Sequence, residues 1–287
     1  MERFLRVVGM DGKRFSDLEK QLLSIDVQPL WISESESGLE VGILSTQKAQ
    51  EILKAMQLPF EELSSHTIDW DAQWASFAKG VAHEGVYEIE FSKLEIEAEG
   101  SFFLKAGPGF GDLSHPTTQL MMNLMVRYCR GNYCIDIGSG SGILTVAAMK
   151  LGASRVEACD IDEQAVVHTR ENIALNHFEG KASVHLPEEM WKAVTASPPA
   201  SPVILINMIE SEQRQALPWN YLKKLPAFTL IASGLLKEDT RSYCNWIQSF
   251  GPRLQSTVDS GEWSALIFEF AAAKDNLESS ESGFERL

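Results

Sequence analysis

One short segment does most to limit what this chain can fold into: Asp136-Ile137-Gly138-Ser139-Gly140-Ser141-Gly142. It follows the apolar run Tyr133–Ile137 and opens the helical pattern Ile143–Leu151. Glycines between a strand and a helix permit a tight turn and let a ligand approach the main chain closely. The helix start then offers unpaired N–H groups to an anion. A strand–turn–helix of this kind belongs to a mostly parallel sheet with its ligand site at the carboxyl ends of the strands.

The rest of the second half has the same rhythm. Arg155–Asp160, Val203–Asn207 and Phe228–Ser233 read as strands. Between them lie the helical pattern Asp162–Asn176 and a less regular stretch after Glu210. Strands alternating with helices predict a doubly wound α/β domain. Arg253–Val258 and Trp263–Phe270 flank Ser260-Gly261, as in a hairpin that adds an antiparallel strand.

The first sixty residues follow another pattern. Phe4–Val8 is a strand candidate, and Phe15, Leu18 and Leu22 fall at helical spacing. Pro29–Ile32 and Leu39–Leu44 read as strands and Gln47–Met56 as a helix. The order predicts a small N-terminal α+β domain of the split β-α-β kind, over 1–60. Residues 61–80, with Trp70 and Trp74 one helical turn apart, are expected to link it to a larger domain over 81–271. Tyr87–Phe91 and Leu94–Lys105 alternate as strands do. Residues 272–287, rich in Ser, Glu, Asp and Gly, are expected to form a disordered tail.

Composition narrows the functional classes. The chain has 287 residues, 44% of them hydrophobic and 23% charged, which suits a soluble two-domain protein. No apolar run reaches the roughly 18 residues of a membrane span, and Met1-Glu2-Arg3-Phe4 does not open a secretory signal. A net charge of −15 repels phosphate backbones and attracts a basic protein, although solubility alone also explains it. Direct nucleic-acid binding is therefore not expected. Cys129, Cys134, Cys159 and Cys244 form no C-x-x-C pair and do not cluster with histidines, so no metal site is expected. Reduced thiols fit a cytoplasmic protein.

Four elements carry chemistry. The glycine-rich turn lacks the third glycine of the dinucleotide pattern, since position 143 is Ile143, and no G-K-[ST] follows. The spacing G-x-G-x-G after Asp136 favours S-adenosylmethionine over NAD, with Gly138 and Gly140 at the ligand. Asp160 ends the next strand, where a carboxylate accepts two hydrogen bonds from a ribose diol. It could instead cap the following helix, although Asp162 fits that cap better. Asn207 ends the strand Val203–Ile206, and its amide suits the orientation of an amine beside a methyl donor. A strand-ending turn is the plainer role. The last element is Gly107-Pro108-Gly109-Phe110-Gly111-Asp112-Leu113-Ser114-His115-Pro116-Thr117-Thr118. Its glycine-rich part suits a lid. His115 invites a general-base role, but a histidine before a helix-starting proline more often caps the helix.

Together these elements resemble the ribosomal-protein methyltransferases of the PrmA type. The resemblance rests on Phe110-Gly111, His115-Pro116-Thr117-Thr118, Asp136 through Leu144, Asp160-Ile161-Asp162 and Asn207. Asp69-Trp70, Trp74, Ser233-Gly234-Leu235 and Gly261-Glu262-Trp263 extend it over roughly 66–270. It implies a class I S-adenosylmethionine-dependent methyltransferase on a Rossmann-like seven-stranded sheet. Thr117, Gly138, Asp160 and Asn207 would be the cofactor contacts, with Asp136 and Gly140 counted beside them. Asn207 and His115 are the catalytic candidates. The implied substrate is a basic protein of the large ribosomal subunit, protein eleven, methylated on lysines and its N-terminal amine by a monomeric enzyme. The lid departs from the family, with Gly111-Asp112-Leu113-Ser114 in place of G-T-G-T, and Met208 is unusual after Asn207. A small-molecule methyltransferase and a non-catalytic S-adenosylmethionine-binding module are the competing functions.

Overall fold

Strand β1 (Arg3–Met10) buries Leu5 and Val7 and turns Arg6 and Val8 outward, the alternation of a half-buried strand. The computed structural model describes residues 3–25, 27, 29–35, 37–64, 85–105, 113 and 115–271. Asp11 accepts from the Arg14 N–H and starts α1 (Gly12–Leu23), which buries Phe15, Leu18 and Leu22 as their spacing predicts. Strands β2 (Pro29–Ser35) and β3 (Gly38–Leu44), the Thr46-capped helix α2 (Gln47–Ala55) and strand β4 (Phe60–Ser64) complete the unit. The sheet order is β2-β3-β1-β4, antiparallel throughout.

Strand β4 is a correction to the sequence reading, which ended this unit at residue 60. Two adjacent carboxylates, Glu61 and Glu62, hide the strand pattern. They suit an edge strand, where charge discourages further pairing. The remaining linker with Trp70 and Trp74, the glycine-rich lid apart from Leu113, and the tail 272–287 lie outside the described residues.

Strands β5 (Val86–Glu90) and β6 (Ser101–Lys105) pair as a separate ribbon. The strand expected over Leu94–Lys105 is shorter because Phe91–Leu94 forms a 3₁₀ turn and Glu95 has φ 57°. Five elements follow: α3 (Pro116–Tyr128), β7 (Tyr133–Ile137), α4 (Ile143–Lys150), β8 (Arg155–Cys159) and α5 (Glu163–Leu175). Helix α5 holds the ribbon by side-chain amides. Asn172 Oδ1 accepts from Lys105 N at 2.8 Å, and Asn176, just past the helix, pairs with both the N–H and the carbonyl of Phe103.

The chain continues through β9 (Ala182–His185), α6 (Pro187–Ala196), β10 (Val203–Asn207), α7 (Glu210–Ala216) and α8 (Trp219–Leu222). It ends with β11 (Ala227–Leu236), α9 (Thr240–Gln248) and the hairpin β12 (Arg253–Ser260) and β13 (Trp263–Ala271). The seven-stranded sheet has the order β12-β13-β11-β10-β7-β8-β9. Five strands are parallel, and β13 and β12 run antiparallel at one edge. Strands β7 and β10 are buried on both faces, which is why each reads as an unbroken apolar run. One apolar core contains Met121 and Val146, the other Trp191 and Tyr243. Each fully buried large side chain of this kind contributes roughly 1.5–3 kcal/mol.

The strand order reverses between β7 and β10. From β7 the chain steps outward to β8 and β9, then returns to β10 and steps the other way. Loops on the two sides of such a switch point diverge at the carboxyl ends of the strands and leave a crevice.

Candidate functional site

A cavity of about 700 Å³ opens at that switch point. On one side are Gly138 and Gly140, in the turn after β7. On the other is Asn207, at the end of β10. The turn is fixed from below. Gly138 and Ser139 donate to the Cys159 carbonyl at 2.8 and 3.0 Å, tying the loop to the end of β8. Gly142 has φ 81°, and a Cβ there would lie 3.0 Å from Thr169 Cα, so its hydrogen lets α4 and α5 meet.

Asp160 lies on the cavity wall and is half-buried. Its Oδ2 accepts from Gly140 N at 2.9 Å and its Oδ1 from Asp162 N at 3.0 Å. Each oxygen keeps a second lone pair for a hydroxyl donor. The helix cap is Asp162, which accepts from Gln164 N at 2.9 Å. Asp160 is thus spared that duty, as the sequence suggested.

Asp136 lies under the wall, not on it. It is 1% exposed, and its Oδ2 accepts from Thr145 Oγ1 at 2.6 Å. Its Oδ1 is buried without a partner among the described residues. Burial, opposed by the Thr145 bond and helped by the charge of Asp160, raises its pKa to about 6. The carboxylate holds the turn onto α4.

His115 caps α3. Its Nδ1 accepts from Thr117 N at 3.3 Å and sits 2.7 Å from Thr117 Oγ1, and Pro116 takes the first helical position. The ring lies edge-on to Trp263 at 4.9 Å. Nδ1 faces both the backbone N–H and the hydroxyl of Thr117, which makes the imidazole the cap of α3. The imidazole fixes the shape of the wall, and Thr117, beside it, also lines the cavity.

Asn207 Oδ1 is buried without a partner among the described residues, and so is Trp263 Nε1. Both residues line the cavity. An orphan acceptor and an orphan donor on one wall are what a polar ligand would complete.

Other residues complete the wall, and of these Trp191, Tyr221 and Glu212 carried no signal in the sequence. Trp191 and Tyr221 stack at 5.9 Å, 13° from parallel, and give one end of the cavity an aromatic surface. Ile161 is 87% exposed beside Asp160, an apolar face open to a flat ligand. Met208 packs its terminal methyl over Gly138, 2.0 Å from where a Cβ would be. Glu212 on α7 also faces the cavity, and burial and the nearby Asp160 raise its pKa. These residues come from three helices and two loops, and only tertiary packing brings them together.

The donor set suits a nucleoside carrying a charged amino-acid tail: a carboxylate for a diol, exposed apolar and aromatic surface for a base, and orphan polar atoms for the tail. Among the described residues no cluster of His, Cys, Asp or Glu could hold a metal ion, and no helix is long and apolar enough to cross a membrane.

Residues 15–271 match the family model described as ribosomal protein L11 methyltransferase (PrmA). Curated proteins named ribosomal protein L11 methyltransferase are similar along the chain. The one from Prochlorococcus marinus is 29% identical over 281 residues, covering 92% of this chain and 91% of its own. The one from Streptococcus mutans is 28% identical over 286 residues, covering 93% and 84%. The one from Geotalea uraniireducens is 32% identical over 216 residues, covering 70% and 67%.

Proposed function

Because this chain belongs to the ribosomal protein L11 methyltransferase (PrmA) family and is an S-adenosylmethionine-dependent methyltransferase, we propose that it methylates amines of ribosomal protein L11 at the switch-point cavity. The observation that carries this reading is the buried, unpartnered Oδ1 of Asn207 on the cavity wall. It offers an acceptor for one N–H of an amine.

Asp160 holds the ribose through its free lone pairs, and the side-chain-free backbone at Gly138 and Gly140 lets the cofactor approach the main chain of the turn closely. Asp136 supports that turn from beneath, and Thr117 closes the wall beside it. When bound, S-adenosylmethionine supplies an electrophilic methyl group on a sulfonium. Asn207 accepts one N–H of the entering amine and so turns the nitrogen lone pair toward the methyl. The amine must be neutral to react, and an ordinary lysine is neutral in only about one molecule per few thousand at pH 7. The apolar walls around Asn207 favour the neutral form by withholding solvation from the ammonium. The released proton passes to water at the open side. Most of the rate enhancement is then positional.

The four-stranded unit is the acceptor-recognition module, and the seven-stranded unit holds the reaction. The net charge of −15 draws in a basic ribosomal protein and disfavours direct nucleic-acid binding. The enzyme works as a cytoplasmic monomer. Incubation with S-adenosylmethionine and purified L11, read by the intact mass of L11, tests the reading. Mass increments of one methyl group or more are expected, and an unchanged mass with transfer to a small amine would replace the acceptor.

A further inference from the structure

Helix α7 buries one polar side chain completely, that of Gln213. Its Nε2 donates to the Met208 carbonyl at 2.6 Å and to the Ser233 carbonyl at 2.8 Å. Its Oε1 accepts from the Tyr243 hydroxyl at 2.5 Å. Both amide hydrogens are therefore used, and the oxygen is engaged. The three bonds tie together the residue after β10, a residue within β11, and α9.

Two of the tied points border the cavity. Asn207 is opposite Ser233 in the β10–β11 register. Gly234, on the cavity wall, has φ 87°, and a Cβ there would fall 2.3 Å from the Met208 carbonyl oxygen. The Met208 carbonyl is thus held between Gly234 on one side and the Gln213 amide on the other. A buried carbonyl that loses its donor is costly, so the turn cannot rotate cheaply. Rotation there would swing the adjacent Asn207.

Simple core filling does not account for this side chain. A leucine has similar volume and brings no polar group to bury. The Gln213 amide spends its capacity on fixing two carbonyls, one just after β10 and one within β11 at the level where β10 ends, next to the orphan amide oxygen of Asn207.

We propose that Gln213, braced by Tyr243, is a positioning residue for methyl transfer: it locks the Met208 peptide so that Asn207 presents its open amide oxygen to the acceptor amine. The proposal rests on the reading that a protein amine is methylated at this cavity. Gln213 touches neither cofactor nor amine.

The test compares Gln213→Glu and Tyr243→Phe with the unaltered full-length chain. Cofactor affinity is measured by calorimetry, and kcat and KM with purified L11. Glutamate keeps the shape but gives up both amide donors. Gln213→Glu should lower kcat by about thirtyfold and Tyr243→Phe by about threefold, with KM for L11 held and cofactor affinity within about threefold. Wild-type kcat in a folded Gln213→Glu protein would overturn the proposal. So would a parallel loss of kcat and cofactor affinity, which marks a merely structural role. If Gln213→Glu does not fold, Tyr243→Phe decides by the same split, and unchanged kcat there overturns the proposal. Absence of transfer to L11 by the unaltered chain would overturn the acceptor reading and this inference with it. Undiminished transfer in the variants would overturn the inference alone.

Discussion

The two sheets of this molecule keep their polar groups in different places. In the four-stranded sheet every pair is antiparallel, helices α1 and α2 belong to the same unit, and Arg6 and Glu40 pair at 2.6 Å on half-buried surface. The pair is bidentate and ties β1 to β3 across the sheet face. In the seven-stranded sheet the central strands are parallel and buried, and polar groups gather where the strand order reverses: Asp136, Asp160, Asn207 and Gln213. An antiparallel sheet can close with hairpins and leave no crevice. A doubly wound one must reverse, and polar groups gather at the reversal, some paired, as Gln213 is, and some with an open atom, as Asn207 is. Among the described residues, the buried side-chain atoms without a partner all lie in the seven-stranded unit, which points to it as the place of the chemistry.

The units are not independent. Glu19 on α1 accepts from Ser211 Oγ on α7 at 2.9 Å, and Gly12 packs near Leu236, Glu238 and Glu262. Burial raises the pKa of Glu19 to about 7. The Ser211 bond opposes the shift, while Asp239, Glu210 and Glu212 add to it. The contact joins α1 to the helix that carries Gln213.

The division predicts where substitutions will act. The largest effect should come from Asn207→Ala, which removes the amine's acceptor. It should lower kcat by about a hundredfold and leave cofactor affinity nearly unchanged in calorimetric titration. Equal loss in affinity and kcat would place Asn207 with the cofactor instead. Next is Asp160→Ala. It removes a charged acceptor worth roughly 1.5–3 kcal/mol per bond, partly regained from water. Cofactor affinity should fall at least about tenfold, and a thermal shift should show the fold intact.

A smaller effect concerns the join. A carboxyl whose pKa is raised from 4.5 to about 7 on folding costs stability progressively as pH rises through that window, and the full cost remains above it. Glu19→Gln should therefore stabilise the protein at pH 8 by on the order of 1–2 kcal/mol. The gain should shrink as pH falls toward 4.5, which denaturation at a series of pH values checks. A pH-independent difference would remove Glu19's titration from the account. The smallest effect is electrostatic. Added salt should raise KM for a basic protein acceptor about severalfold while leaving cofactor affinity alone. Equal salt sensitivity of both would erase the contrast between the two regions.

How much of this was legible depended on local pattern. Strand β7, Tyr133–Ile137, and the turn to α4 were readable because a buried strand, glycines and a helix follow one another without interruption. The role of Asp162 as the cap of α5 followed from its position just before the helical run. Strand β9 has only four residues, and the sequence showed no clear strand there. Strand β12 is exposed at all eight positions and was legible only through its hairpin partner. Within the site, Asp136 read as a ligand contact, yet burial puts it beneath the turn. The aromatic wall of Trp191 and Tyr221 could not be read at all, because thirty residues of chain separate the rings and no periodicity joins them.

The central claim is that the cavity at the reversal holds S-adenosylmethionine while the chain delivers its methyl to a basic ribosomal protein. The most direct measurement is methyl transfer from labelled S-adenosylmethionine to purified L11 by the full-length chain, with free lysine as a parallel acceptor. The account predicts label in L11, none in free lysine, and loss of the signal in Asn207→Ala. Label in free lysine with none in L11, or transfer undiminished in Asn207→Ala, would contradict it.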